Sequence, residues 1–202
     1  MITNLDELVS FLENIAAKFP IIASEIKLCS PGYSDEILVK LRQKAPYLPD
    51  SYFDVIKKVK IAGISIGQLN LWPVPYGKKD FVTSIIEANT SSDNPFLDFY
   101  RDKNLVEVAR LEANIICLSS KSSKTSGYAY LVDISSGPNL ILKMLANSFE
   151  QLLIIAGNLY DISLSYENNE EVGMNEFKTR LAQLGVDSNT SATWQELLEE
   201  FF

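Results

Sequence analysis

The sequence predicts an α+β fold: a mostly antiparallel central sheet flanked by helices, with a C-terminal helical extension. Three observations predict it. Amphipathic helix patterns near residues 5–19, 34–44 and 51–59 are stopped by Pro20, by Pro46 with Pro49, and by Gly63. Strand patterns follow near 64–72, 114–119, 128–134 and 139–145, the last three separated only by turn-forming segments. A capped helix pattern near 148–160 closes the run. Strands in succession between helices point to α+β rather than to a parallel sheet of alternating units.

The elements are justified in order. Asn4 to Phe19 reads as an amphipathic helix. Asn4 is its cap and Glu7 stands three residues on, a capping box by residue type. Leu5, Leu8, Val9, Leu12, Ile15, Ala16 and Phe19 form its apolar stripe. Ile21 to Cys29 is either a short strand or more helix, and Ser30-Pro31-Gly32 is a turn. The helix pattern that starts at Ser34 stops at Pro46 and Pro49, because proline lacks an N–H and disfavours helix in the residue before it. A new helix starts at once, with Asp50 or Ser51 as its N-cap. Tyr52, Phe53, Ile56 and Val59 follow at helical spacing, and Tyr52 is expected in the core. Gly63 then leads into alternating Ile64 and Ile66 and the Leu69, Leu71, Trp72 run.

Trp72-Pro73-Val74-Pro75-Tyr76-Gly77 reads as a loop or edge segment. Phe81 to Ala88 fits helix or strand, and Leu105 to Leu111 a strand or a short irregular segment. Asn114 to Leu118 and Tyr128 to Ile134 read as paired strands around the Ser/Lys loop 119–127, taken as a solvated hairpin tip. Leu140 to Leu145 is the next strand. Asn147-Ser148-Phe149-Glu150 then opens a helix ending near Tyr160, with Phe149 expected in the core. Met174 to Leu184 is a helix pattern stopped by Gly185. Asp187 to Ala192 reads as a linker, and Thr193 with Glu196 as a further capping box. Trp194, Leu197, Leu198, Phe201 and Phe202 make an apolar face. The expected division is a domain over 1–160 and an acidic helical extension over 161–202 packed on it.

Composition narrows the function. There is no histidine, so Ser-His-Asp and Cys-His catalysis and histidine-based zinc sites are excluded. Two distant cysteines, Cys29 and Cys117, cannot make a four-thiolate site, and both are expected reduced, at least one of them buried. No apolar run has the length of a transmembrane helix, and the acidic start Met1 to Glu7 is unlike a basic signal peptide. A cytoplasmic address is therefore expected, with no membrane association. Residues 161–202 hold nine acids and two bases, a net charge of −7, whereas residues 1–160 hold 16 bases and 17 acids. That sign repels phosphate, so nucleic acid is not an expected partner, and it attracts basic proteins.

No motif carries chemistry. Gly63-x-x-x-Gly67 lacks the ending of a phosphate loop and reads as a turn or bulge at strand entry. In the Ser/Lys loop neither lysine stands three residues after a serine. Glu170-Glu171 lacks the spaced ligands of a calcium loop. Lys57, Lys58 and Lys60 read as the wet face of a helix. Catalytic, cofactor-binding and metal-binding residues are therefore all expected to be none. The candidate partner-binding residues are Glu167, Glu170, Glu171 and Glu176 in the acidic segment. Trp72 and Tyr76, aromatics beside two prolines, complete the set.

The order of helix, Leu48-Pro49-x-x-Tyr52 helix start, Gly63 and strand, followed by paired strands and the Ser148-Phe149 helix, resembles the SUKH superfamily, also called SMI1/KNR4-like. The resemblance spans about Ser34 to Tyr160; residues 72–114 fit it less well, and both ends lie outside it. It implies a compact α+β domain that binds proteins, and no catalytic residues. Many bacterial members look like immunity proteins that neutralise a cognate toxin, often a nuclease, by direct binding. The expected partner is thus a basic toxin domain. The alternatives are a regulatory interaction protein of the same family unrelated to toxins, and a small carboxylate-dependent enzyme.

Overall fold

A computed structural model of the chain describes residues 1–73, 79–112, 114–134, 140–167 and 169–201, with side chains as far as Leu198. It is α+β, with helices packed on a six-stranded, wholly antiparallel sheet. Helix α1 spans Leu5–Lys18. Asn4 Oδ1 accepts from the Glu7 N–H at 2.9 Å. The Glu7 carboxylate reaches back one residue further than a standard capping box, to the Thr3 N–H at 2.7 Å. Phe19 leaves the stripe and is half exposed, because the chain turns at Pro20. A single helical turn, α2 (Ala23–Ile26), follows.

Helices α3 (Asp35–Lys44) and α4 (Asp50–Lys58) meet at a corner made by Ala45 to Pro49. The expected side-chain cap of α4 is absent. Pro49 occupies the N-cap position and Asp50 the first helical position, where its carboxylate pairs with Arg42 at 2.9 Å and Lys121 at 3.2 Å. Lys121 belongs to the 119–127 loop, and its N–H also donates to the Tyr47 carbonyl at 2.8 Å. Gly127, at φ +87°, leaves no room for a Cβ beside Ser51. The loop is therefore docked on the Leu48-Pro49 corner and is not merely a solvated tip.

The single strand pattern expected over 64–72 is a hairpin, β1 (Ser65–Ile66) and β2 (Leu69–Leu71). Gly67 makes its turn at φ +57°, and a Cβ there would lie 3.2 Å from the Tyr160 side chain. Helix α5 (Phe81–Thr90), capped by Asp80, resolves the Phe81–Ala88 segment as helix, and helix α6 (Leu97–Lys103) follows it. Leu105–Leu111 is a full strand, β3. Strands β4 (Asn114–Ser119), β5 (Ala129–Asp133) and β6 (Ile141–Ala146) complete the meander, each pairing with its sequence neighbour.

Helix α7 (Phe149–Ser165) is capped by Ser148 and runs five residues past Tyr160, through the buried Ile162, so the expected boundary at 160 falls inside it. Its first residue is in the core as expected: Phe149 and Tyr52 are fully buried and stack at 5.2 Å. Helix α8 (Glu170–Gln183) starts four residues earlier than expected, because the Asn169 side chain caps it. Helix α9 (Ser188–Phe201) starts inside the expected linker. The Asp187 carboxylate accepts from the Asn189 and Thr190 N–H groups, both at 3.0 Å, and from the Thr190 hydroxyl at 2.7 Å. Thr193 lies within α9 and donates to the Asn189 carbonyl instead of capping.

Helices α1, α4, α7, α8 and α9 contribute to one apolar core with strands β1 to β6. The acidic segment is part of that core through Phe177, Leu181, Trp194, Leu197 and Leu198, all buried. The Trp194 indole donates to the Leu145 carbonyl on edge strand β6 at 2.8 Å, so α9 covers an edge that would otherwise offer unpaired backbone groups. A smaller apolar cluster under α6 includes Tyr100, Leu105 and Cys117.

Candidate functional site

The carboxylates of the C-terminal segment fall into two sets. The first is internal. Arg180 on α8 is buried and donates to Asp161 at 2.6 Å, to Glu176 at 2.9 Å and to the side chain of Asn158 at 3.3 Å. Asn158 in turn holds both backbone groups of Ile2. Burial works against the Arg180 charge, and its bonds to Asp161 and Glu176 outweigh burial, so its pKa is raised. Arg180 thus ties α8 to α7 through Asp161 and, through Asn158, to the N-terminus, while Glu176 pairs with it within α8. Glu176 is half-buried and already occupied, unlike a freely displayed carboxylate.

The second set faces solvent. Glu167 is exposed in the α7–α8 connection, and Glu170 and Glu171 are exposed in the first turn of α8. None has an ion-pair partner among the described residues. Gly173 lets this turn close on α7, since a Cβ there would meet Tyr166 at 3.1 Å. The three carboxylates are thereby held at one corner of the molecule. Leu164, three residues before Glu167, and Val172, next to Glu171, are each 45% exposed.

Trp72 does not join that corner. It is half-buried, its backbone N–H donates to the Val108 carbonyl at 2.8 Å, and the Arg110 guanidinium sits 5.3 Å from its ring. Arg110 bonds Glu107 at 3.0 Å, and Glu107, almost fully buried, accepts from the Tyr100 hydroxyl at 3.0 Å. Tyr76 lies outside the described residues.

Tyr100, Glu107 and Arg110 form a partly buried polar cluster beside the Cys117 thiol, a feature that no sequence motif signalled. Burial, then the neighbouring Glu107 charge, pushes the Cys117 thiol well above its ordinary range, so it is not a thiolate at neutral pH. Burial pushes the Tyr100 phenol upward as well. Cys29, the other free cysteine, is exposed. Among the described residues no three acidic, cysteine or histidine side chains are grouped to hold a metal ion. No described helix is long and apolar enough to cross a membrane.

What the arrangement offers is therefore a surface: an acidic corner with exposed apolar residues, carried on two helices locked to the core by a buried arginine. No family model, curated protein or solved structure matches the chain.

Proposed function

We propose that this chain is a non-catalytic protein-binding domain of the SUKH type, an immunity protein that neutralises a basic, nuclease-type toxin domain by direct binding. One observation carries the reading. Glu167, Glu170 and Glu171 are exposed without cationic partners among the described residues, at the junction of two helices joined by the Arg180 network. A nuclease cleft is lined with cations that hold phosphate, so a fixed carboxylate corner is complementary to it. Such complementarity speeds association and selects against acidic partners. The exposed Leu164 and Val172 supply apolar contact next to those charges. No metal, cofactor or substrate enters this reading, and a reducing cytoplasmic address goes with it.

The test uses the basic toxin domain encoded beside this chain in its source genome. Mixing the two at equal concentration should abolish the nuclease activity. The triple change Glu167→Gln, Glu170→Gln, Glu171→Gln should slow association more than it speeds dissociation. Absence of such a neighbouring gene, or undiminished nuclease activity, would count against the proposal.

A further inference from the structure

A cleft of about 340 Å³ lies where the α3–α4 corner, the ends of α5 and α6, the start of β3 and the 119–127 loop meet. No residue of α7, α8 or α9 lines it. Its volume suits one small ligand. Tyr47, Leu97, Tyr100, Leu105 and Val106 give it an apolar side. Arg101, Asn104, Ser120 and Ser122 give it a polar one, and no carboxylate stands in the wall. Ser120 is only 5% exposed, and its hydroxyl meets the Ser122 hydroxyl at 3.0 Å. Two hydroxyls that share one bond leave one proton to donate. The Asn104 side-chain amide and the Ser122 main-chain N–H have no hydrogen-bond partner among the described residues. The Arg101 guanidinium has Asp98 at 3.8 Å, both side chains being exposed, and such a pair contributes little. Acceptors that oppose a negative charge here are largely engaged. Asn89 Oδ1 accepts from the Glu107 N–H at 2.7 Å. At the end of α5 the Glu87 and Ala88 carbonyls accept from the Ser91 N–H and the Asn94 side chain. At the end of α6 the Tyr100 and Arg101 carbonyls accept from the Asn104 N–H. Glu107, outside the wall, is paired with Arg110.

We infer that this cleft binds a small organic anion: a carboxylate or phosphate group on an apolar body the size of a benzene ring. The inference goes beyond the toxin reading, which uses α7 and α8, and does not depend on it. A wall with donors to give and no carboxylate favours a ligand that only accepts. An oxyanion takes several donors at once, and arginine matches it with two parallel N–H groups. The serine pair and the Asn104 amide supply the neutral donors. The aromatic and aliphatic side takes the body of the ligand out of water. A cation of the same size meets Arg101 and finds no acid in the wall. A neutral amide of the same shape leaves Arg101 unmatched.

The probes are benzoate and phenyl phosphate, titrated into the ¹⁵N-labelled full chain and followed by amide chemical shifts. Benzamide, benzylammonium and inorganic phosphate are the comparisons. At least one of the two organic anions should give saturable shifts centred on Asn104, Leu105, Ser120 and Ser122, and the tighter of the two names the oxyanion. Benzamide should bind about tenfold more weakly or worse, and benzylammonium not at all. Inorganic phosphate, lacking the body, should bind more weakly than the organic anion. Arg101→Gln should lose about tenfold or more, whereas Asp98→Asn, which removes the competing carboxylate, should tighten binding. Ser122→Trp should block the cleft from the loop, with all three variants melting like the parent. No saturable shift with either anion, benzamide binding as tightly as benzoate, or binding indifferent to Arg101→Gln would each overturn the inference. So would shifts scattered over the surface lysines and unchanged by Ser122→Trp. Toxin neutralisation by the Arg101→Gln and Ser122→Trp variants should match that of the parent, so the two readings stand or fall separately.

Discussion

Trp194→Phe measures whether the acidic C-terminal segment is a working part of the fold. Trp194 is almost fully buried, stands edge-on to Phe177 at 6.1 Å, and donates its indole N–H to the Leu145 carbonyl at 2.8 Å. Phenylalanine keeps most of the apolar volume and loses the donor. The smaller ring leaves a void of about 40 Å³, which at roughly 24 cal/mol per Å³ costs about 1 kcal/mol. The stranded Leu145 carbonyl, buried on a sheet edge, adds about 1–3 kcal/mol. The expected loss is about 2–4 kcal/mol, a fall in melting temperature of roughly 5–15 °C for a chain of this size. The assay is urea unfolding followed by circular dichroism at the helix band, because replacing one of the two tryptophans compromises fluorescence. One cooperative transition should move to lower urea with its slope unchanged. A loss below about 0.5 kcal/mol, or a separate early transition with the main one unmoved, would refute the reasoning: α9 would then be a detachable cover. Values are read against the parent chain.

Three further outcomes are expected. Phe149→Ala, which empties the stack against Tyr52, should cost about 3–5 kcal/mol in the same urea assay, and a loss well under about 1 kcal/mol would mean that the α7 face is misassigned. Glu107→Ala should cost about 2–3 kcal/mol, since it strands the Tyr100 hydroxyl while Arg110, more exposed, rehydrates; Tyr100→Phe in that background should cost little more. For pH, Asp187 is held below its ordinary value of 3.8 by hydrogen bonds from the Thr190 side chain and backbone, and Asp50 below the same value by hydrogen bonds from Arg42 and Lys121. A folded-state value below the unfolded one means that the unfolded chain binds protons first. The stabilisation is therefore complete above about pH 5 and is lost as pH falls through 4 and below. Urea midpoints between pH 7 and pH 2.5 should show that drop, and Asp187→Asn should flatten it.

Much of the fold was legible because its signals are local. Asn4 with Glu7, the prolines at 46 and 49, and Ser148 before Phe149 each act on backbone groups within a turn of themselves, and α1, α3, α4 and α7 begin within a residue of where they point. The misses arose where two local answers competed or where distant packing decided. Asp187 and the Thr193–Glu196 pair both offered a start to α9. Asp187 wins because it takes two N–H groups and the Thr190 hydroxyl, while Trp194 must already be helical to reach Leu145. The β1–β2 turn needs only Gly67-Gln68, too short to interrupt an alternating apolar run. An apolar run as short as that of α5 carries no decisive period. The candidate site was legible as charge alone. That Asp161 and Glu176 hold Arg180, and Asp187 caps a helix, while Glu167, Glu170 and Glu171 find no ion-pair partner among the described residues, depends on which face of each helix meets the core. A cleft of about 430 Å³ lined by Ile26, Ile66, Leu69, Leu111, Tyr160 and Trp194 was not legible at all, because its walls come from α2, β1, β2, β3, α7 and α9, which lie far apart in the sequence.

The most direct test is the association rate of this chain with the basic toxin domain proposed as its partner, across a salt series. The claim is that a fixed, exposed carboxylate corner guides the encounter. Association should fall by about tenfold or more between roughly 0.05 and 0.5 M salt, as the Debye length contracts past about 8 Å. The triple glutamine variant at positions 167, 170 and 171 should show a lower rate at low salt and a flatter salt response, with dissociation nearly unchanged. A rate that is flat in salt, and equal for the parent and the triple variant, would contradict the account.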